Sequence, residues 1–279
     1  MPQRLAHFLT FDPRSGQVLA LAILLALGLT VFSIGVSPTT VVTIVTTALL
    51  LEGLFSRNIM QLPSALISGL SLSLLLRTND ISIALLATLI AISSKRILRY
   101  RGQHIFNPTA FALVVISTSS AHAWLSPGQW GQSFQLLLLV CIAGLVVTRK
   151  AARLDLSATF LCTFGALSFM RAIYLGDPIA IPIHQLSNGA LLIFTFFMIS
   201  DPRTTPSSRG ARLIFGILVA GVAAVLQYGF HWSNASIFAL VFCAPLVPLL
   251  NAHSAGNPLT WMQFAQTQAT KQSNGVIHV

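Results

Sequence analysis

The sequence predicts an all-α polytopic membrane protein of about ten transmembrane helices, arranged as two inverted five-helix repeats. Three observations lead there. Charged residues make up 8% of the 279 positions and hydrophobic residues 54%, whereas a soluble globular chain carries charge at roughly a quarter of its positions. Apolar runs recur along the whole chain, with a mean hydropathy of +0.79, at lengths suited to a hydrocarbon core that takes about 20 residues per helix. Lys and Arg fall almost wholly in alternate connecting segments, as they do where loops alternate across a bilayer.

In chain order, residues 1–17 form a cytoplasmic segment carrying Arg4 and Arg14. The run 18–36 is longer than the apolar stretch of a signal peptide, and no A-x-A-like site follows it, so it is expected to be an uncleaved first helix. Cutting at Pro, Gly and charge clusters places further helices at 39–55, 62–76, 81–94, 108–122, 134–148, 156–174, 185–200, 211–228 and 235–250. The third and fourth are short, which suits tilted spans or a re-entrant pair and leaves the later sidedness unchanged. The transmembrane domain is therefore 18–250, with repeat one at 18–122 and repeat two at 134–250. Residues 251–279, rich in Gln, Thr and Ser, are expected to be a disordered cytoplasmic tail.

With the N-terminus inside, the inner segments hold Arg4, Arg14, Arg57, Lys95, Arg96, Arg99, Arg101, Arg149, Lys150, Arg153, Arg203, Arg209, Arg212 and Lys271; only Arg77 and Arg171 fall outside. The runs were cut on apolarity, so the charge distribution tests them independently, and it places both termini on the cytoplasmic side of a bacterial inner membrane. A net charge of +10 would suit a nucleic-acid binder only on a solvated face, and these residues sit in short loops. Nucleic acid is excluded as a partner; the lipid bilayer is the main one. Cys141, Cys162 and Cys243 lie inside apolar runs with no metal spacing and read as small buried residues. No acid lies in the middle of an apolar run, which argues against a cation pump with a buried carboxylate relay, and there is neither a P-loop nor a G-x-G-x-x-G.

The inverted repeat rests on short matches. Asn107-Pro-Thr-Ala-Phe-Ala-Leu113 opens helix five and Asn234-Ala-Ser-Ile-Phe-Ala-Leu240 opens helix ten, while Gly69 precedes Asp80 much as Gly189 precedes Asp201. An odd number of helices per repeat inverts the second half.

Three segments could hold a ligand. The loop 93–108 gathers four basic residues, His104 and the Asn107-Pro108 helix start. Its plain role is topology and capping, and its functional role is an anion site at a helix N-terminus. The segment 198–213 closes helix eight with Asp201, Arg203, Arg209 and Arg212. An acid there opposes the helix dipole and needs a partner, such as Arg203 or a base of the Lys95–Arg101 loop. On the opposite face His184-Gln-Leu-Ser-Asn-Gly-Ala190 enters helix eight, as interfacial anchoring or as part of an ion or proton path. Trp124, Trp130 and Trp232 read as interfacial belt residues.

The strings Arg101-Gly-Gln-His-Ile-Phe-Asn-Pro-Thr-Ala-Phe111, His184-Gln-Leu-Ser-Asn-Gly-Ala190, Phe196-Phe-Met-Ile-Ser-Asp-Pro-Arg-Thr-Thr-Pro206, Arg209-Gly-Ala-Arg-Leu-Ile-Phe-Gly216 and Cys243-Ala-Pro-Leu-Val-Pro-Leu249 resemble the RnfD and NqrB family. These are membrane subunits of the Rnf and sodium-pumping NADH:quinone oxidoreductase complexes. The resemblance implies a ten-helix inverted-repeat fold and a flavin attached through phosphate to a Thr of an S-G-A-T motif between helices five and six. Here that interval, 117–133, reads STSSAHAWLSPGQWGQS, and Ser157-Ala-Thr159 lies in helix seven, so covalent FMN is not expected. The compact form is similar to a short branch of the family encoded beside enediyne pathways.

The resemblance implies an electron-transport subunit, with coupling to ion transport left open. It would have no catalytic residue or metal of its own, would hold a noncovalent flavin or quinone, and would work with other membrane subunits or a soluble reductase on the cytoplasmic face. Its expected ligand-facing residues are Arg101, His104, Asn107, Asp201 and Arg203, with His184 on the outer face. A transporter or export factor without redox cofactor, and a purely structural subunit, are the alternatives.

Overall fold

The computed structural model describes residues 13–32, 34–56, 61–126 and 134–252. Arg4, Arg57, Trp130, Lys271, most of the expected tail and the end of the 117–133 interval lie outside these. Twelve helices are labelled in chain order: α1 Pro13–Thr30, α2 Pro38–Phe55, α3 Leu62–Leu75, α4 Ile81–Ile97, α5 Pro108–Ser119, α6 Phe134–Lys150, α7 Leu154–Leu175, α8 Ala180–Leu186, α9 Gly189–Ile193, α10 Arg209–Ala224, α11 Ala235–Cys243 and α12 Leu246–Ala252. α9 runs on into a π-helical turn, Phe194–Met198, and α10 into another, Val225–Gly229. Helix is thus found within every apolar run of the sequence. By length and apolarity α2, α7 and α10 with its π turn can each cross a membrane, and so can two bent pairs, α8 with α9 and α11 with α12, if each pair is one span. The chain is an all-α membrane protein.

Helix starts follow from capping chemistry. Asp80 caps α4 by accepting from the Ser82 amide at 2.8 Å. Asn107 caps α5 by accepting from the Ala110 amide at 3.1 Å, with Pro108 in the first turn where no amide partner is needed. Asn188 caps α9 through the Ala190 amide at 2.8 Å, and Ser208 caps α10 through the Ala211 amide at 3.3 Å. α7 stops at Gly176, whose φ of 73° supplies the left-handed turn.

The structure departs from the sequence expectation in four places. Residues 180–186 form a helix of their own, bent 47° from α9, because Asn188 turns its side chain to the next helix's amides and ends the first. His184 therefore ends α8 rather than entering the helix that follows. The last span is broken by 48° between Cys243 and Leu246; Pro245 has no N–H and its ring crowds the preceding turn. Helix then continues to Ala252, where Asn251 Oδ1 accepts from the Ser207 amide at 2.9 Å and from its hydroxyl at 3.0 Å, so 251–252 belong to the folded domain. Finally, two short antiparallel pairs occur: β1 Leu76–Thr78 with β4 Ala123–Leu125, and β2 Arg99–Tyr100 with β3 Gln103–His104. The second is closed by a two-residue turn in which Arg101 and Gly102 have φ of 48° and 82°, the geometry that matches strand twist in tight hairpins.

α7 lies along α10 and α2 along α3 and α4, with α1 against α3 and α11 against α10 and α5. The α7–α10 approach depends on Gly216, where a Cβ would meet Leu156 and Thr159 at 3.2 Å. The core is rich in fully buried aromatics, among them Phe160, Phe164, Phe194, Phe197 and Phe215.

Polar contacts gather at two ends. At the basic end Arg96 pairs with Glu52 at 2.9 Å, Lys95 donates to the Ser64 carbonyl at 2.9 Å, Arg153 to Thr205 at 3.1 Å and Arg212 to Asp155 at 2.6 Å. At the far end Arg77 donates to Ser126 at 3.2 Å, Arg171 pairs with Asp177 at 3.2 Å, and Tyr228 Oη lies 2.8 Å from the Gln185 side-chain oxygen. α3 runs from Ser64 at the basic end to Arg77 at the far end, and α4 returns from Asp80 to Lys95. α7 runs toward the far end from Arg153, α9 toward the basic end from Asn188, α10 toward the far end from Arg212, and α11 with α12 toward the basic end from Asn234 to Asn251.

Candidate functional site

Two loops separated by nearly the whole of the helices α5 to α9 meet at the basic end. The β2–β3 hairpin brings His104 to the loop after α9, where Arg203 Nη1 stands 3.4 Å from His104 Nε2. Asn107 Nδ2 donates to the Met198 carbonyl at 3.2 Å. Together His104, Asn107, Asp201 and Arg203 line a small polar cavity of about 40 Å³, with Arg14 and Gln17 of α1, Ser64, Ser68 and Ser71 of α3, and Thr109 of α5.

The π turn positions this wall. An extra residue in the turn disrupts the ordinary i to i−4 pattern, and side chains from three helices and the following loop take up its carbonyls. Ser157 donates to Thr195 at 2.7 Å, Ser200 to Phe196 at 2.5 Å, Gln17 to Phe197 at 3.2 Å, and Asn107 to Met198. These bonds tie α1, α5 and α7 to the segment that leads into Asp201.

The electrostatics of the cavity are cationic. Arg is a donor only, so its approach makes His104 Nε2 the acceptor and puts the imidazole proton on Nδ1. That Nδ1 is buried and makes no hydrogen bond among the described residues. Burial first, then the charges of Arg203, Arg99 and Lys95, push the His104 pKa down to about 3; the Lys95 carbonyl pulls weakly the other way. His104 is therefore neutral at physiological pH. Asp201 Oδ1 accepts from the Arg203 amide at 3.0 Å, the partner its place after α9 demands. Burial raises the Asp201 pKa, opposed by that hydrogen bond and by the charges of Arg203, Lys95 and Arg153.

The other expected residues lie elsewhere. Arg101 is at the tip of the hairpin, exposed, 5.4 Å over the Tyr100 ring, and borders a surface groove beside α12 rather than the polar cavity. His184 is exposed in the last turn of α8. Its neighbours Gln185 and Asn188, not His184, line a much larger cavity of about 770 Å³ at the far end. That cavity lies between α5, α7, α9 and α11, walled by Trp124, Trp232, Phe164, Phe194 and Phe238, with Gln227, His231, Asn234 and Ser236 as its polar edge. Trp232 meets Phe238 edge-on at 4.9 Å, and Tyr228, behind the wall, stacks on Phe164 at 6.4 Å.

Sequence reading missed this cavity and the α1 and α3 walls of the smaller one. Ser64, Ser68 and Ser71 recur at helical spacing on one face, a signal open to it; the aromatic wall is assembled from β4, α7, the π turn after α9, the segment before α11 and α11 itself, and no local pattern joins them.

Residues 119–258, half of the chain, match the NQR2, RnfD, RnfE family. The chain belongs to that family. The match takes in α6 to α12, the Asp201 loop and the far-end residues from Trp124 onward, so the far-end cavity lies almost wholly within it, whereas the small cavity takes Phe197, Met198, Asp201 and Arg203 from the matched segment and the rest of its lining from outside it. Among the relatives, a protein from Tolumonas auensis named as a subunit of an ion-translocating oxidoreductase complex is 31% identical over 92 residues, 33% of this chain and 26% of that protein. Those of the same name from Citrobacter koseri and Psychromonas ingrahamii are 26% identical over 132 residues and 24% over 126, covering 47% and 45% of this chain and 33% and 36% of theirs. The matches thus span about a quarter to a third of the relatives' length.

Proposed function

We propose that this RnfD-family chain is an electron-transport membrane subunit that holds a flavin or quinone noncovalently in the far-end cavity. The cavity carries this reading: about 770 Å³ lies in the range of sites for molecules of that size, its walls are aromatic, and amide side chains at the rim offer donors and acceptors to ring carbonyls and nitrogens. Covalent attachment fits poorly. Thr118, in the interval where the family resemblance implies a flavinylated Thr, donates its hydroxyl to the Val114 carbonyl at 2.8 Å and does not line the cavity. When bound, the group would supply one- or two-electron transfer; the chain's own residues would orient it and keep water from its apolar face.

In this reading the chain crosses a bacterial inner membrane ten times, in two inverted repeats with both termini cytoplasmic. Support comes from the alternation of helices between the basic and far ends, and from Asn107 and Asn234 opening matching strings at opposite ends. The exposed bases Arg99, Arg101, Arg149, Lys150 and Arg209 then face the cytoplasm, where they suit an acidic reductase or another subunit's loops.

Purification in detergent, with absorbance and fluorescence spectra before and after acid precipitation, tests the reading. Flavin released to the supernatant, and lost in Trp232→Ala, supports it. Flavin kept in the pellet sinks the noncovalent assignment, and a colourless protein that takes up neither flavin nor quinone sinks the redox reading itself.

One observation favours transport without a cofactor: both cavities abut the same short helix. α9 presents Ala190 and Leu191 to the far-end cavity, and its π turn presents Phe194 to that cavity and Phe197 and Met198 to the small one. Uptake or efflux by the protein alone in liposomes would decide for it.

A further inference from the structure

We propose that the small basic-end cavity is a binding site for a monovalent anion of about chloride's size, held by the Arg203 guanidinium, His104 Nδ1–H and the hydroxyl-lined face of α3. Room is the first requirement. About 40 Å³ accommodates one such ion with a water or two beside it and rejects a sugar acid or a bulky oxyanion.

The second requirement is unmatched donors. His104 is 6% exposed and lines the cavity, and its Nδ1 is one of two buried side-chain polar atoms without a hydrogen bond among the described residues. With Nε2 turned to Arg203, that Nδ1 carries the proton, and the Lys95 carbonyl acts on it only weakly, which leaves room for a stronger acceptor. The Arg203 guanidinium makes one contact among the described residues, Nη1 to that same imidazole, leaving its other N–H groups for an occupant. The remaining wall is mostly committed: Gln17 and Asn107 donate to Phe197 and Met198, Thr109 to the Ser68 carbonyl at 3.4 Å, and Ser68 to Ser64 at 3.0 Å.

The third is charge. Lys95, Arg96 and Arg203 are cations of this cluster, set against Glu52 and Asp201. Glu52 is already taken by Arg96 at 2.9 Å and Lys95 at 3.7 Å. Arg203 has no carboxylate within ion-pair distance among the described residues. A buried guanidinium needs a counter-charge as well as acceptors. A neutral water would satisfy Nδ1 and leave the charge. Asp201 is the carboxyl in this wall, and its Oδ1 is taken by the Arg203 amide at 3.0 Å.

The site stands apart from the redox reading, and its test needs no flavin. The full chain in detergent is melted in sodium chloride, sodium bromide and sodium gluconate at constant ionic strength, and the chloride NMR line width is followed with and without competing bromide. The expected result is a saturable rise in melting temperature with either halide and none with gluconate, with chloride line broadening that bromide reverses. Arg203→Gln and His104→Gln each weaken halide affinity about tenfold or more, while Arg209→Gln, exposed outside the cavity, keeps it. Equal melting in halide and gluconate with no broadening overturns the proposal. So does a halide effect undiminished in Arg203→Gln and His104→Gln, which would place the ion elsewhere. Should those variants fail to fold, the wild-type line width and its competition decide.

Discussion

Replacing Gly144 by Ala tests whether the π turn of α9 is held by close packing against α6. A Cβ at Gly144 would lie 2.6 Å from Phe196 Cβ and Cδ2, where ordinary contact is 3.4–4 Å. Phe196 Cβ is fixed to the backbone and cannot rotate away, so α6 and the turn must separate by about 0.8 Å in an interior as dense as a crystal. Overpacking costs about 1–3 kcal/mol, of which the upper part, about 2–3 kcal/mol, applies to a clash with a backbone-fixed atom, and the better helix propensity of Ala returns about 1 kcal/mol. The net loss of about 1–2 kcal/mol lowers the melting temperature in detergent by roughly 2–8 °C. The same shift draws the Phe197 and Met198 carbonyls from Gln17 and Asn107. Gly53→Ala in α2, where nothing lies within 4 Å of the added atom, is the matched control and should stabilise by about 0.5–1 kcal/mol. If Gly144→Ala melts at or above wild type while Gly53→Ala behaves as expected, the close approach does not exist and the account of the π turn is wrong.

Asp155→Asn should cost about 2 kcal/mol, because it leaves Arg212, 12% exposed, without the carboxylate that joins the starts of α7 and α10; an unchanged denaturation midpoint would show that the pair contributes nothing. Tyr228→Phe removes an oxygen lying 2.7 Å from Ser168 and 2.8 Å from Gln185, which should cost about 1–2 kcal/mol and speed hydrogen exchange in α8 more than in α5. For His104, the folded pKa of about 3 lies below its ordinary 6.5, so between those values the unfolded chain binds a proton that the folded chain does not. Its contribution is whole above pH 6.5 and falls as the pH drops through that window, with a limiting slope of about 1.4 kcal/mol per pH unit. His104→Gln should flatten the acid limb of a stability profile, and an unaltered limb would mean that the imidazole is solvated.

Helix positions were legible in the residues alone, because apolar run length and the avoidance of charge in hydrocarbon act locally. So was the helix start at Asn107, whose capping depends on a residue three positions away. His104, Asn107, Asp201 and Arg203 stood out too, since polar groups beside a membrane span contrast with an apolar alphabet. That these four share one cavity, while Arg101 and His184 do not, emerges only in three dimensions. The outcome hangs on a two-residue hairpin turn and on an independent α8, each set by packing and backbone hydrogen bonds rather than by residue type. The π turns were hidden for the same reason: Thr195, Phe197 and Met198 look like any apolar helix until Ser157, Gln17 and Asn107 arrive from other helices to take their carbonyls. The far-end cavity was the least visible, because an apolar residue lining a void and one filling a core read alike in sequence, and only the spacing of α5, α7, α9 and α11 separates them.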